Sequence, residues 1–296
     1  MLTWSRTPST VRVTVRRMRL PFERATTSPR WAMDNACISH FWNVLSCSLP
    51  HVERFIIDAA RPFLHSVTDE KLRRELDAFI GQEGHHAHQH RRFNAVMREA
   101  GLDTERYERW FEGVLAAMNR VFGPTSKLAL TAAFEHLASV FAAHYLRHTA
   151  PSRQAPPEID AAARWHAVEE IEHKSVSCDL YKAMRGGYAH RVAMMLGVFP
   201  GMTLLVLAAQ ADLVRRDVGM PERGELLQAL RYLFGEAGIL RTALREVVRY
   251  VEPRFHPWDV DDSALIERSR EHYARYVIAA GEARGPIPGS RPRGTP

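Results

Sequence analysis

Between Leu72 and Met97 the chain repeats an inward position every three or four residues: Leu72, Leu76, Phe79, Glu83, His86, His90, Phe93 and Met97. Steps of four and three place all eight on one face of a helix. The apolar residues at both ends mark that face as the core side. Three polar side chains interrupt its centre. A carboxylate and two imidazoles buried there without partners cost several kcal/mol. A metal ion would satisfy all three.

The same period predicts helices through most of the chain. Asp34 is a plausible N-cap for a short helix over 34–46 that carries Phe41 and Trp42. Pro50 then opens a second helix to about Ser66, with Leu49, Glu53, Ile56, Ala60 and Leu64 inward. Thr68 or Asp69 caps the long helix described above, and Gly101 closes it. An amphipathic helix over 104–122 stops at Gly123-Pro124. The next, over 125–149, turns Leu128, Thr131, Glu135, Ala138, Ala142 and Tyr145 to one side. The Pro-rich segment 150–157 reads as a loop, followed by a long helix to Gly186-Gly187. An uncharged run from Val192 to Ala211 and helical patterns at about 222–249 and 262–284 complete the series. Strand signals are almost absent, apart from the alternation of Val11, Val13 and Val15 in a short extended arm.

The expected fold is all-α. A basic N-terminal arm (1–33) leads into a helical metal-binding body (34–187). An apolar helix and C-terminal helices (188–284) pack on that body, and a Pro/Gly/Arg-rich disordered tail (285–296) ends the chain.

Composition changes this picture little. The chain has 296 residues, 46% hydrophobic and 25% charged, enough for a sizeable core. Its net charge of +6 comes mostly from Arg, spread along helices and mixed with acids. Without an aromatic-interleaved basic patch, a solvated surface is the better reading, and no nucleic-acid partner is expected. Cys37, Cys47 and Cys178 show no CxxC spacing, which argues for a reducing, cytoplasmic compartment. The N-terminal Arg residues precede no apolar segment of a secretory signal.

A second polar stretch joins the first. Glu170 and His173 repeat the i, i+3 spacing of Glu83 and His86, so each pair reaches a common point one turn apart. Two Glu-x-x-His pairs on separate helices are half of a bundle di-metal site; the other half is one carboxylate from each of two more helices. Glu53 is the only inward acid of its helix, and Glu135 is the only acid between Leu128 and Leu146. The expected ligands are therefore Glu53, Glu83, His86, Glu135, Glu170 and His173. Four carboxylates nearly neutralise two divalent cations. Carboxylate and imidazole ligands suit iron or manganese, and the missing thiolates argue against structural zinc. Each part also has a plain alternative: a lone Glu-x-x-His is usually a solvated pair, and Glu169 and Glu172 compete with Glu170. His90 and His166 lie one turn from candidate ligands on the same faces. They are expected site residues, as further ligands, orienting groups or proton donors. His136 and His144 have no assignment, and His85 and His88 read as surface residues.

The ligand order resembles the ferritin-like di-iron carboxylate superfamily. That implies a four-helix bundle whose two metal ions, usually iron, activate dioxygen. A closer resemblance rests on His40-Phe41-Trp42-Asn43, Glu53-Arg54-Phe55, Phe79-Ile80-Gly81-Gln82-Glu83 with His86 and His90, Glu135-His136, and Glu169-Glu170-Ile171-Glu172-His173-Lys174. With Val13, Arg16, Arg17 and Met18, these segments look like a bacterial family of predicted metal-dependent hydrolases, over about residues 10–250. Three functions follow as expectations. The leading one is oxygen activation at two metal ions, iron before manganese or zinc, on an apolar small-molecule or lipid-like substrate with an electron donor. The alternative is hydrolysis by a metal-bound hydroxide. The third is metal storage or sensing, disfavoured by the long C-terminal part. The absence of HExxH and G-x-S-x-G argues against a zincin or serine hydrolase.

The run Val192–Ala211 leaves three readings open. It is long enough to cross a hydrocarbon core of about 30 Å. It also fits a wholly buried helix kinked at Pro200, or a flap in a membrane interface where nearby Arg residues meet anionic head groups.

Overall fold

A computed structural model describes residues 3–22, 28–148 and 155–278. The expected tail (285–296) and most of the 150–157 loop lie outside the described residues, as does the end of the 262–284 pattern. The described residues are helical with no strand; a lone bridge joins Met18 to Val277.

Four helices form a closed ring: α1 (Ala36–Ala60), α2 (Glu70–Glu99), α4 (Pro124–Arg147) and α5 (Pro157–His173). In it α1 packs on α2 and α4, and α5 packs on the same two helices. Outside the ring, α3 (Thr104–Val121) packs on α1. The remaining helices are α6 (Val176–Ala183), α7 (Tyr188–Asp217), α8 (Arg223–Phe234), α9 (Ile239–Tyr250) and α10 (Ser263–Tyr273). Residues Leu72, Leu76 and Phe79 of the α2 stripe are buried with Ile56, Ala60 and Leu128 at one end of the ring. Phe93 and Met97 join Ile38, Phe41 and Val44 at the other.

The helix expected to end near 46 and restart at Pro50 is continuous: Pro50 lies inside α1. Proline lacks the N–H that would bond the carbonyl four residues earlier. Here that carbonyl is Ser46, and Asn94 Nδ2 of α2 donates to it at 3.1 Å. The interruption written in the sequence is thus repaired from a neighbouring helix. The N-cap is Asn35, whose Oδ1 accepts from Ile38 N at 3.0 Å, whereas Asp34 sits in the left-handed region with φ 49°. Asp69, the second of the two expected caps, accepts from Lys71 N and Leu72 N.

Two other expected helices are broken. The one expected to reach Gly186 ends at His173 and resumes at Val176 as α6. Neither Gly nor Pro marks the break. At the break the Lys174 side chain donates from Nζ to Val260 O and Asp262 Oδ2, at 2.8 and 2.7 Å. The 222–249 pattern splits into α8 and α9 at Gly235–Gly238, where a Cβ on Gly238 would lie 2.6 Å from Leu233 O.

Helix α7 is unbroken through Pro200. It is not wholly buried: Met195, Val198, Val206, Ala209 and Leu213 face the body, while Leu196 and Leu204 are 54% and 67% exposed. The carbonyl that Pro200 deprives is that of exposed Leu196, so water can satisfy it. By length and composition α7 is apolar enough to cross a membrane.

The arm is extended and lies across α2. Gln82 Nε2 donates to Thr14 O, Gln89 Nε2 to Met18 O, and Arg92 Nη2 to Leu20 O. Its other edge meets the C-terminal segment, where Arg19 N donates to Tyr276 O and Ile278 N to Arg17 O.

Candidate metal centre

The ring brings all six expected ligands together. Glu53 comes from α1, Glu83 and His86 from α2, Glu135 from α4, and Glu170 and His173 from α5; all are buried. Ligand atoms of Glu83, His86 and Glu170 lie within 4.8 Å of one another, as do those of Glu83, Glu135 and His173. The two groups share Glu83. Its Oε1 is 3.6 Å from His86 Nδ1 and 3.4 Å from His173 Nε2. Glu170 is also divided between them, with Oε1 at 3.4 Å from His86 Nδ1 and Oε2 at 3.3 Å from His173 Nε2. Glu135 Oε2 is 3.0 Å from His173 Nε2. Glu53 approaches from the His86 side, in a group with His86 and His166.

These residues could hold metal ions. Two ligand atoms about 2.1 Å from one ion and at right angles to each other lie ~3.0 Å apart, close to the spacing found here. Both Glu53 oxygens, Glu83 Oε1, Glu135 Oε2 and His86 Nδ1 are buried and make no hydrogen bond. Buried polar atoms in folded proteins nearly always have partners, so five orphans within one cluster call for ions. The charges agree. Burial, and then the charge of Glu83, push the Glu53 carboxyl well above the usual range. The same causes push Glu135 up to about 8. Burial opposes charge on Glu170 as well, but His173 and the other imidazoles hold it well below that range. Burial likewise opposes charge on both ring imidazoles, yet the carboxylates raise them: Glu169, Glu170 and Glu83 act on His86, and Glu170 and Glu135 on His173. Protons occupy the cluster where cations would otherwise balance the carboxylates.

A family model described as a predicted metal-dependent hydrolase matches residues 14–261. The chain belongs to that family. No curated protein and no solved structure matches it.

In this member of the metal-dependent hydrolase family, partners outside the cluster fix both candidate ligand imidazoles. His86 Nε2 donates to Glu169 Oε2 at 3.0 Å, which leaves Nδ1 facing Glu83 and Glu170. His173 Nδ1 donates to Gln82 Oε1 at 2.9 Å, which leaves Nε2 facing Glu135. Such outer contacts set the tautomer and ring orientation of ligand histidines. Both lead to the arm: Arg16 donates to Glu172 at 2.7 and 2.9 Å and to Glu169 at 3.1 Å. Gln82 Nε2 also donates to Glu172 Oε2. Although burial opposes its charge, the Arg16 guanidinium is pushed above its ordinary value by Glu172. Glu169 and Glu172, sequence competitors of Glu170, thus face away from the cluster. Their three-residue spacing hints at a shared partner. Nothing in the local pattern identifies that partner as Arg16, or gives Gln82 its role.

His90 and His166 extend the cluster. His90 Nδ1 is 2.9 Å from Ser46 Oγ, His90 Nε2 is 2.7 Å from His166 Nδ1, and His166 Nε2 is 2.8 Å from Glu170 Oε1. Ser46 Oγ already donates to Asn94 Oδ1, so it accepts from His90. Three hydrogen bonds then need three protons, and two neutral imidazoles carry two. The third resides on the imidazole pair or on Glu170. Burial, followed by the charge of neighbouring imidazoles, lowers both His90 and His166 below the ordinary range, so that extra proton is readily given up. Both histidines and Glu170 border a cavity of about 160 Å³.

His136 and His144 stay outside. His136 Nε2 donates to Glu246 O of α9, and its ring packs on Tyr250 and Phe255. His144 stacks against His148.

Proposed function

We propose that the chain is a hydrolase whose centre holds two divalent cations, with Glu53, Glu83, His86, Glu135, Glu170 and His173 as ligands in a ferritin-like bundle. The observation that carries this reading is the convergence of orphaned ligand atoms beside the hydrogen-bonded His90–His166 pair. Bound there, the cations would supply Lewis acidity and a lowered pKa for water. Glu83 and Glu170, each facing both imidazoles, would hold the ions together with His86 and His173. Arg16, through Glu169 and Glu172, holds the outer side of the site rigid. His166, on the cavity side, delivers a proton to the leaving group, and His90 reprotonates it from the Ser46 side.

Elemental analysis of purified protein tests the centre. Glu83→Ala and Glu170→Ala should each lose most of the metal, and full occupancy in both variants would end the assignment. Zinc-loaded protein should hydrolyse esters or amides.

A second reading is oxidation of an apolar substrate by two iron ions and dioxygen. It draws support from the four carboxylates, the absence of thiolate ligands and the apolar cavity walls. In that case anaerobically reduced iron-loaded protein would consume oxygen, and zinc-loaded protein, which has no redox chemistry, would be inactive. Storage leaves the cavity and the imidazole pair without a role.

A further inference from the structure

The cavity beside the centre has an unusually one-sided chemistry. Phe22, Trp31, Trp42, Phe93, Phe141 and Ile159 form much of its wall. The polar atoms of Trp31, Trp42 and Tyr145 are turned to other partners. Trp31 Nε1 donates to Asn43 Oδ1 at 2.9 Å and Trp42 Nε1 to the Tyr232 hydroxyl at 3.0 Å. The Tyr145 hydroxyl donates to Asp160 Oδ1 at 3.2 Å. Among the described residues, no Lys or Arg lines it. At the inner end stand Glu170, His166 and His90. Trp165, which also lines the cavity, carries a buried indole N–H with no hydrogen-bond partner.

Each feature restricts the occupant. An apolar cavity of ~150 Å³ takes up benzene. One of about 160 Å³ therefore takes an apolar group of single-ring size rather than a long acyl chain. Aromatic walls favour edge or offset contact with another ring. The Glu170 carboxylate at the inner end, with no Lys or Arg among the described lining residues, disfavours a free carboxylate on the occupant. The unpartnered indole N–H of Trp165 suits a hydrogen-bond acceptor on the occupant.

We infer that this cavity is the substrate site and that its substrate is a neutral ester or amide with one benzene-sized apolar group. The scissile bond rests on the hydrolase reading; the size, neutrality and apolar character rest on the cavity alone. In hydrolysis of such an ester, a water oxygen bonds to the carbonyl carbon. The bond to the alcohol oxygen breaks, with its electron pair leaving on that oxygen. His166 takes one proton from that water and delivers it to the departing alcohol oxygen, and the products are a carboxylic acid and an alcohol. This narrows the expected apolar small-molecule or lipid-like substrate to one of single-ring size.

Calorimetric titration with acetophenone, a neutral aryl ketone that cannot be hydrolysed, tests the inference on metal-free and zinc-loaded protein. Saturable binding is expected in both forms, tighter than that of methyl nonyl ketone. Ala163, on the cavity wall three residues before His166, gives the blocking variant. Ala163→Phe should weaken acetophenone by roughly ten-fold or more while metal content stays unchanged. Phe141→Ala, which enlarges the site, should improve binding of a naphthyl ketone relative to acetophenone. Absence of saturable binding overturns the proposal, as does tighter binding of the long-chain ketone. So does unchanged affinity in a folded Ala163→Phe protein together with no gain in Phe141→Ala. If acetophenone binds as expected but zinc-loaded protein leaves phenyl acetate intact, the cavity's ligand class stands and the hydrolase reading fails. If phenyl acetate and ethyl acetate are cleaved equally well, hydrolysis stands and the ring-sized substrate is refuted.

Discussion

Replacing Glu53 by Met should make the metal-free protein more stable while weakening metal binding. Glu53 is 1% exposed, and neither of its carboxyl oxygens has a hydrogen-bond partner. Burial, then the charge of Glu83, holds its carboxyl well above the ordinary range, so without metal it is buried as an unpartnered acid. An unsatisfied buried polar group costs about 1–3 kcal/mol. Met has a similar length, no branch and no strong polar atom, so it removes that cost with little change in packing. For a chain of this size each kcal/mol moves Tm by about 2–4 °C, so a gain of roughly 5 °C is expected. Thermal unfolding followed by far-UV circular dichroism, in chelator, measures it. In excess zinc or ferrous iron the order should reverse, because a ligand at a thousand times its Kd stabilises by about 4 kcal/mol. A lower Tm for the variant in chelator would refute the orphan argument. Equal stabilisation of both proteins by metal would refute Glu53 as a ligand.

Four further outcomes are expected. His90→Ala should keep its metal and shift the pH profile of activity; metal loss equal to that of His86→Ala would make His90 a ligand instead. Asn94→Leu leaves the Ser46 carbonyl unpartnered beside Pro50 and should destabilise by about 1–3 kcal/mol, so an unchanged urea midpoint would disprove the repair. Burial lowers His136 from 6.5 to about 4, which favours its neutral form in the fold. Its contribution is therefore complete above pH 6.5 and is lost as pH falls through 4. About 2 kcal/mol of it should be gone by pH 5; if His136→Phe loses stability as steeply over that range, the histidine is not responsible. Finally, the uncharged outer stripe of α7, with exposed Leu196 and Leu204 and exposed Arg215 and Arg216 at its end, should attach to anionic vesicles in a salt-sensitive way. Flotation that leaves the protein unbound at low salt would rule out this lipid contact.

Helical period and side-chain type are local properties, and the chain states them openly. The α2 stripe, the two Glu-x-x-His pairs and the isolated acids Glu53 and Glu135 all follow from spacing within single helices. So does the all-α class. How helices meet is a different matter, because their relative rotation and height depend on packing between residues far apart in the chain. Only the ring places one Glu170 oxygen toward His86 and the other toward His173. Only the crossing of the arm over α2 and α5 gives Arg16 its carboxylates, more than 150 positions away in sequence. The same limit explains the misplaced helix ends. Pro50 is a local stop, overridden by an amide from α2; the break after His173 has no Gly or Pro to announce it, and Lys174 beside it is tied by its side chain to distant Asp262. The composition of α7 was legible, but which of its faces meets the body was decided by the neighbours it packs against.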